Sequence, residues 1–247
     1  MVKPLSIACL VLSMVFPSAS RAGDAPAKIR VLLVIGGHDF EREPFLDVFR
    51  SNPEITFETV GHPDAHARLS AEAARSWDVL ALYDMWQPIS DAAKADFLAR
   101  LKDGKGIVVL HHAIANYQKW NGYARIIGGK YFLANESFDG RDHPASTYKD
   151  DVRFTVEVER NNHPVTRGVE NFEIVDENYH GLWVDPSATV LLRTKSPTNH
   201  PILAWARTEQ ASRVVYLQLG HGPSAFGNTS YRKLLAQSIR WTAGRSE

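Results

Sequence analysis

The chain has 247 residues, of which 44% are apolar and 23% are charged, and its 28 basic and 28 acidic side chains give a formal net charge of zero. This composition is typical of a globular protein with a sizeable core and excludes collagenous, coiled-coil and disordered classes. Because no basic stripe or arginine-rich run is present, nucleic acid is not an expected partner.

The first 22 residues have the features of a secretory signal peptide. Lys3 gives a positive start, residues 5–16 form a mostly apolar run, and small residues surround a cleavage site after Ala22. The run is too short for a membrane span, so we expect a secreted or periplasmic protein without a membrane partner after cleavage. The only cysteine, Cys9, lies in this segment, so the mature chain has no thiol nucleophile.

Strands and helices alternate after a polar spacer over residues 23–27, in a domain that we expect over residues 28–244. Apolar runs predict strands at residues 28–35, 77–82 and 106–110, and apolar residues that alternate on one face predict another at residues 55–60. Amphipathic segments at residues 44–50 and 90–101 predict helices, the second capped by Ser90. This alternation favours βαβ crossovers and a parallel sheet.

The pattern becomes less regular after residue 114. We expect a helix that ends at Gly128 and Gly129, then a polar loop over residues 135–150. Apolar and polar residues alternate over residues 152–158, which predicts an antiparallel strand with one solvated face. Further strands are expected at residues 172–179, 188–193, 202–206 and 213–219, and a closing helix at residues 229–242.

Ionisable side chains follow three of the predicted strands. His38 and Asp39 follow the first strand, His111 and His112 follow the fourth, and His221 lies between two glycines after the last. Ligands of open α/β sheets bind outside the carboxyl ends of the strands, so we expect these groups to converge at one edge.

Glu177, in an Asp-Glu-Asn-Tyr segment, is expected to approach the same edge. Histidine titrates near neutral pH and a carboxylate can orient it or raise its pKa, so the two form a natural acid–base pair. Structural roles are the alternatives: a histidine packed at a strand end, His38 and Asp39 capping the next helix, or a solvated Glu177.

Two further types of site are compatible with these residues. Imidazole and carboxylate groups suit zinc, so a divalent metal is an alternative at the same site. Its candidate ligands are His38, His111 and His221, with His112 and Glu177 as further ligand types, although their spacing matches no short metal motif. Aromatic side chains in predicted loops can instead stack on a sugar ring. The candidates for that contact are Trp86, Tyr117, Trp120 and Trp183.

The ordered set of motifs resembles the ThuA-like (trehalose utilisation) domain of the class I glutamine amidotransferase-like superfamily. The resemblance covers residues 28–244 and rests on six segments, at residues 31–39, 106–113, 128–132, 163–168, 176–179 and 213–221. It implies an α/β fold, flavodoxin-like and doubly wound, with a mostly parallel sheet, helices on both faces and an antiparallel β extension.

The resemblance also bears on chemistry. In amidotransferases of that superfamily a cysteine occupies the elbow after a central strand, and a later His–Glu pair completes a triad. The elbow corresponds here to His111, so glutaminase chemistry is excluded in a mature chain without cysteine. The family is associated with bacterial disaccharide metabolism, including 3-keto sugars, which implies a small carbohydrate substrate.

We therefore expect a carbohydrate-processing enzyme that acts on a glycoside or 3-keto sugar. His111 is the predicted central acid–base group, with His221 as its counterpart and Glu177 orienting one of them. The predicted substrate contacts are His38, Asp39, His112, Tyr179 and Trp86. The alternatives are a metal-dependent, zinc-type hydrolase or lyase at the same site and a non-catalytic sugar-binding module. An oligomer is compatible with the sequence.

Overall fold

A computed structural model describes residues 27–160 and 162–245. The predicted signal peptide over residues 1–22 and nearly all of the spacer lie outside the described residues. A nine-stranded mixed sheet forms the centre of the fold, and helices pack on both of its faces. The predicted α/β fold, with a mostly parallel sheet and an antiparallel extension, is confirmed.

The first half of the chain builds the parallel part of the sheet. Its elements are β1 (Ile29–Gly36), α1 (Arg42–Arg50), β2 (Ile55–Gly61), β3 (Val79–Asp84), α2 (Asp91–Lys102) and β4 (Gly106–Leu110). Short 3-10 helices lie at Asp64–Leu69, Ala73–Ser76 and His111–Ala115. Every residue of β3 and β4 is buried, as expected for central strands covered on both faces.

The second half of the chain adds one more parallel strand and the antiparallel extension. Its elements are α3 (Asn121–Ile127), β5 (Gly129–Lys130), β6 (Glu136–Phe138), β7 (Arg141–His143), β8 (Thr147–Val158), β9 (Phe172–His180), β10 (Trp183–Val184), β11 (Thr189–Arg193), β12 (Ile202–Glu209), β13 (Ser212–Leu217), α4 (Pro223–Phe226) and α5 (Thr229–Thr242). The predicted closing helix at residues 229–242 has the observed bounds of α5.

The strand order in the sheet is β2-β1-β3-β4-β13-β12-β11-β8-β9. The strands from β2 to β13 run parallel, and each later neighbour pair is antiparallel. The carboxyl ends of β1, β3, β4 and β13 therefore meet at one edge, which is where open α/β sheets bind ligands.

Two apolar layers hold this sheet in place. One layer packs α1, α4 and α5 on one face, and the other packs α2 and α3 on the opposite face. Trp205 on β12 is fully buried in the second layer, and its indole N–H donates to the Ile127 carbonyl at 2.7 Å. The edge that carries the histidines is therefore supported by a rigid core.

Local signals place the helix ends. Ser90 caps α2 as predicted, because its hydroxyl accepts the Ala93 N–H at 3.2 Å. Gly128 ends α3 at φ +74°, a left-handed conformation that glycine adopts without steric cost.

Within the described residues, no helix has the length and apolarity needed to cross a membrane.

One predicted segment was wrong in part. The polar loop expected over residues 135–150 contains β6, β7 and the first residues of β8. These strands are largely exposed and polar, so they lack the apolar alternation that marks a half-buried strand. The first residues of β8 are instead fixed by pairing with β9, which depends on contacts distant in sequence.

Candidate functional site

The site is organised around His111, the first residue after β4. Its backbone φ is +48°, in the left-handed region that is uncommon for residues other than glycine. This turn places the imidazole beneath the sheet edge, where it is completely buried. A strained turn after a central strand corresponds to the elbow expected at this position.

Hydrogen bonds fix the orientation of the His111 ring. The Gln218 carbonyl can only accept, so His111 Nδ1 carries a proton and donates it across 2.5 Å. His111 Nε2 then faces Glu177 Oε2 at 2.7 Å and Tyr179 Oη at 2.8 Å. A lone pair on Nε2 would repel the carboxylate, so this contact requires a proton or another cation between the two atoms.

His221 completes the cluster from the loop after β13. Its Nδ1 lies 3.1 Å from His111 Nε2 and 3.2 Å from Glu177 Oε2. Its Nε2 lies 3.9 Å from Asp150 Oδ1, and its side chain keeps 30% of its surface exposed. His111, Glu177 and His221 therefore form a compact triangle, which we call the His–Glu cluster.

The cluster shifts the pKa of its members in opposite directions. Burial alone would raise the pKa of Glu177, but hydrogen bonds from His111 and His221 outweigh it and hold the pKa well below the usual range. The hydrogen bond to Glu177 raises the pKa of His221, against the opposing effect of burial. Glu177 is therefore an anion and His221 favours its protonated form.

Asp176 fixes the backbone that carries the cluster. Its buried carboxylate accepts the N–H groups of Gly220 at 2.7 Å, His221 at 2.9 Å and Glu177 at 3.0 Å. Tyr83 Oη donates to the Gly220 carbonyl at 3.0 Å from the other side. The loop after β13 is thereby tied both to β9 and to β3.

A cavity of about 340 Å³ opens directly above the cluster, and we call it the inner cavity. Glu177, Tyr179 and His221 form part of its wall, whereas His111 does not reach it. Its remaining lining residues are His38, Met85, Trp86, His112, Ile114, Ala115, Tyr131, Leu133, Ser146, Tyr148 and Asp150. A ligand in this cavity can touch the exposed side of the cluster.

His112 and His38 form a second pair of imidazoles on the cavity wall. Their rings stack with centroids 4.8 Å apart. Burial, followed by the neighbouring His111 and His38, lowers the pKa of His112 well below the usual value, so this imidazole is neutral. The His38 ring approaches His221 with a centroid distance of 5.5 Å, so the His38–His112 pair adjoins the His–Glu cluster.

The structure brings together most of the predicted site residues. His38, His112, Glu177, Tyr179, His221 and Trp86 line the inner cavity, and His111 contacts it through Glu177 and Tyr179. Asp39 is exposed and borders a separate depression beside His38. Neither His38 nor Asp39 caps α1, whose N-cap is Glu41 without a side-chain bond.

Several residues of the site were missed by the sequence reasoning. Asp176 directly precedes Glu177, but a buried acceptor of three N–H groups has no local sequence pattern. The Gln218 carbonyl belongs to a predicted strand, and only the tertiary fold turns it toward His111. Tyr131, Tyr148 and Asp150 lie in or beside the segment predicted to be a loop, yet they border the cavity.

Comparisons with known proteins agree with this architecture. A family model described as ThuA, trehalose utilisation, matches residues 30–242. A comparison with curated proteins gave no significant match.

Solved structures share the fold at low sequence identity. A putative ThuA-like protein from Parabacteroides merdae is 17% identical, with a TM-score of 0.74 over 89% of this chain and 91% of the other. A second, from Bacteroides uniformis, is 20% identical, with a TM-score of 0.69 over 93% and 97%.

A glutamine amidotransferase from Thermotoga maritima is 12% identical, with a TM-score of 0.50 over 87% of this chain and 98% of the other. This likeness concerns the fold alone, and it matches the flavodoxin-like sheet expected from the sequence. Because the family model spans nearly all of the described residues, the chain belongs to the ThuA, or trehalose utilisation, family.

Proposed function

We propose that the protein is an enzyme that acts on a glycoside or 3-keto sugar in the inner cavity by acid–base chemistry. The family supports a carbohydrate-related role. The observation that carries the chemistry is that two imidazoles, His221 and His112, line the same cavity, and the opposite directions of their pKa shifts support the assignment of acid and base. Environments that push two titratable groups apart in this way assign the acid and the base.

The proposed reaction is an elimination. A 3-keto group makes the adjacent C–H acidic, and neutral His112 accepts that proton. The electron pair of the C–H bond forms a carbon–carbon double bond while the glycosidic C–O bond breaks. Protonated His221 donates its proton to the departing oxygen, so the products are an unsaturated keto sugar and a free alcohol. Proton exchange with water restores both imidazoles.

Glu177 and His111 hold the acid in place. Glu177 keeps His221 protonated, and His111, which is buried beneath the cavity, orients Glu177 through the 2.7 Å contact. In this proposal His111 is a positioning residue, because it has no direct path to the substrate. The prediction that His111 itself transfers the proton stays a prediction.

The function is tested by incubating purified protein with trehalose, methyl α-glucoside and their 3-keto forms. We expect an unsaturated product from a 3-keto form, and a loss of about 10²-fold or more in turnover for His221→Gln. His180→Gln, an exposed histidine at the end of β9, should retain the wild-type rate. Tight binding without conversion of any probe would instead identify a sugar-binding module.

A metal-dependent hydrolase or lyase is the second candidate, because three metal-ligand atoms converge. Zinc bonds of about 2.0–2.2 Å place tetrahedral ligand atoms about 3.3–3.6 Å apart. The cluster distances of 3.1 and 3.2 Å lie close to this range, and the 2.7 Å contact between His111 and Glu177 would have to lengthen. Metal-binding histidines commonly donate their other N–H to a carbonyl or carboxylate. The Gln218 carbonyl occupies that position for His111, whereas Asp150 Oδ1, 3.9 Å from His221 Nε2, lies beyond hydrogen-bond distance.

Of the candidate ligands named from the sequence, His111, Glu177 and His221 converge, whereas His38 is not part of this group. The ion would replace the proton between His111 Nε2 and Glu177. Elemental analysis of protein purified without a histidine tag tests this candidate. If the metal-dependent candidate is right, the protein should contain about one equivalent of zinc or a similar ion. Chelation should remove this ion, and the Glu177→Ala variant should lack it. Full turnover by metal-free protein would rule out the metal-dependent candidate and support the acid–base proposal.

A further inference from the structure

Two backbone conformations that are unfavourable for residues other than glycine occur in neighbouring loops beside the inner cavity. The φ angle is +59° at Trp86, in the loop after β3, and +44° at Tyr117, shortly after the 3-10 helix His111–Ala115. Trp86 lines the inner cavity and is 56% exposed, so burial of its ring does not offset the strain. Strain of this kind persists only where the surrounding structure fixes it.

A single side chain, that of Asn116, holds both of these loops. Asn116 Oδ1 accepts the Gln87 N–H at 2.9 Å and the Tyr117 N–H at 3.0 Å. An amide oxygen has two lone pairs, so these two bonds saturate it. Because Gln87 directly follows Trp86, a change of the Trp86 backbone to a more common conformation would break the first bond.

Asp84 orients the Asn116 amide. Its carboxylate has no exposed surface, and its Oδ2 accepts a hydrogen bond from Asn116 Nδ2 at 2.5 Å and lies 2.6 Å from His62 Nε2. Rotation of the amide by 180° would exchange its oxygen with its nitrogen. A carboxylate accepts and cannot donate, so it selects the orientation in which the NH₂ group faces Asp84 and the oxygen faces the two loops.

The residue before Trp86 is fixed independently. The Met85 N–H donates to the Gly36 carbonyl at 3.0 Å. The Met85 carbonyl lies against Gly37, where any side chain would collide with it. Trp86 is therefore fixed on both sides before a ligand arrives, which reduces the entropy lost on binding.

We propose that Asp84 and Asn116 are positioning residues that hold Trp86 against the ligand in the inner cavity. Neither residue lines this cavity, so both act through the Trp86 loop. The proposed acid and base, His221 and His112, are unchanged when either residue is replaced. Loss of the Asp84–Asn116 contact should therefore weaken substrate binding more than proton transfer. This inference rests on the proposed function and adds two residues to it.

Steady-state kinetics with methyl 3-keto-α-glucoside and 3-keto-trehalose test this role. Asn116→Ala should raise KM at least tenfold, while kcat stays within threefold of wild type. The control is Asn171→Ala, because Asn171 is an exposed asparagine that also accepts a backbone N–H, that of Val158 at 2.8 Å. This control should leave both constants unchanged. Thermal unfolding establishes that each variant is folded.

Exchange of the two side chains separates positioning from a general loss of structure. Asn116→Asp places a second carboxyl group against Asp84, and two such groups share a proton at low pH but repel each other when both are ionised. Relative to wild type at the same pH, KM of this variant should be nearly unchanged at about pH 5 and at least tenfold higher at about pH 8. Asp84→Asn combined with Asn116→Asp again pairs one amide with one carboxylate, so KM should return to within threefold of wild type at the higher pH.

The other titratable side chains around Asp84 are the same in wild type and in these variants, so the comparison at equal pH removes their contribution. They are His62, His66, Tyr117 and Tyr123. Asn171→Asp, the same change at the exposed control position, should show no such dependence of KM on pH.

The outcomes separate this inference from the proposed function. If wild-type protein converts a probe and Asn116→Ala has an unchanged KM, the positioning role is overturned and the proposed function stands. The same holds if the folded double variant is as impaired as Asn116→Asp at the higher pH. If wild-type protein neither binds nor converts either probe, both fail. Should Asn116→Ala unfold, the double variant, which retains the paired contact, decides.

Discussion

Glu177→Gln is expected to reduce turnover of a 3-keto glycoside by about 10²–10⁴-fold, the range for loss of general acid–base catalysis. The amide cannot hold the negative charge that keeps His221 protonated, and it leaves the His111 Nε2 proton opposite a neutral group. The measurement is kcat of the folded variant, with unfolding temperature as the check on structure.

The pH profile gives this prediction a direction. Glu177 raises the pKa of His221, so the acid form is present at low pH and is lost as pH rises through that pKa. Without the carboxylate the pKa falls, and the basic limb of the kcat profile should move to lower pH. Glu173→Gln, the same change at an exposed position of β9, is the control. An unmoved basic limb in Glu177→Gln would contradict the role of His221 as acid.

Asp176→Ala is expected to lower the free energy of unfolding by about 2–4 kcal/mol, because it leaves buried N–H groups without an acceptor. These groups belong to Gly220, His221 and Glu177, so the loop that carries the proposed acid should loosen as well. Urea unfolding measures the first effect, and proton–deuterium exchange of the His221 amide measures the second.

Asp176→Asn separates loss of the acceptor from loss of volume. It keeps the size of the side chain and one carbonyl acceptor, but it turns an amide NH₂ toward an N–H donor. We expect a smaller loss of stability than for alanine, together with faster exchange of one amide. Equal stability of wild type and both variants would show that the three N–H contacts do not support the loop.

Sequence patterns predicted which strand ends meet at one edge of the sheet. They did not predict how the side chains of the site are arranged there. Apolar runs before His38, His111 and His221 identify strands, and parallel strands must place their carboxyl ends together. The convergence of these histidines therefore follows from local patterns. The depth of each side chain does not: the family resemblance indicates an elbow at His111, but it does not show that the imidazole is completely buried beneath the cavity.

Glu177 shows what depends on the complete fold. Its strand is recognisable from residues 172–179, but its position against His111 requires β9 to pair with β8 at the far end of the sheet order. The polar first residues of β8 resemble a loop in the sequence. Whether such a segment forms a strand depends on its pairing with a distant segment. The helix α5, in contrast, can be predicted from its local sequence pattern.

The pairing of β8 with β9 also limits how this protein can evolve. Successive residues of β9 serve different parts of the site: Asp176 binds the His221 loop, while Glu177 and Tyr179 reach His111. A shift of one residue in a strand exchanges its two faces. The irregularity between Lys149 and Val152 sets the register of this pair. Single-residue insertions or deletions in β8 or β9 should therefore be eliminated by selection.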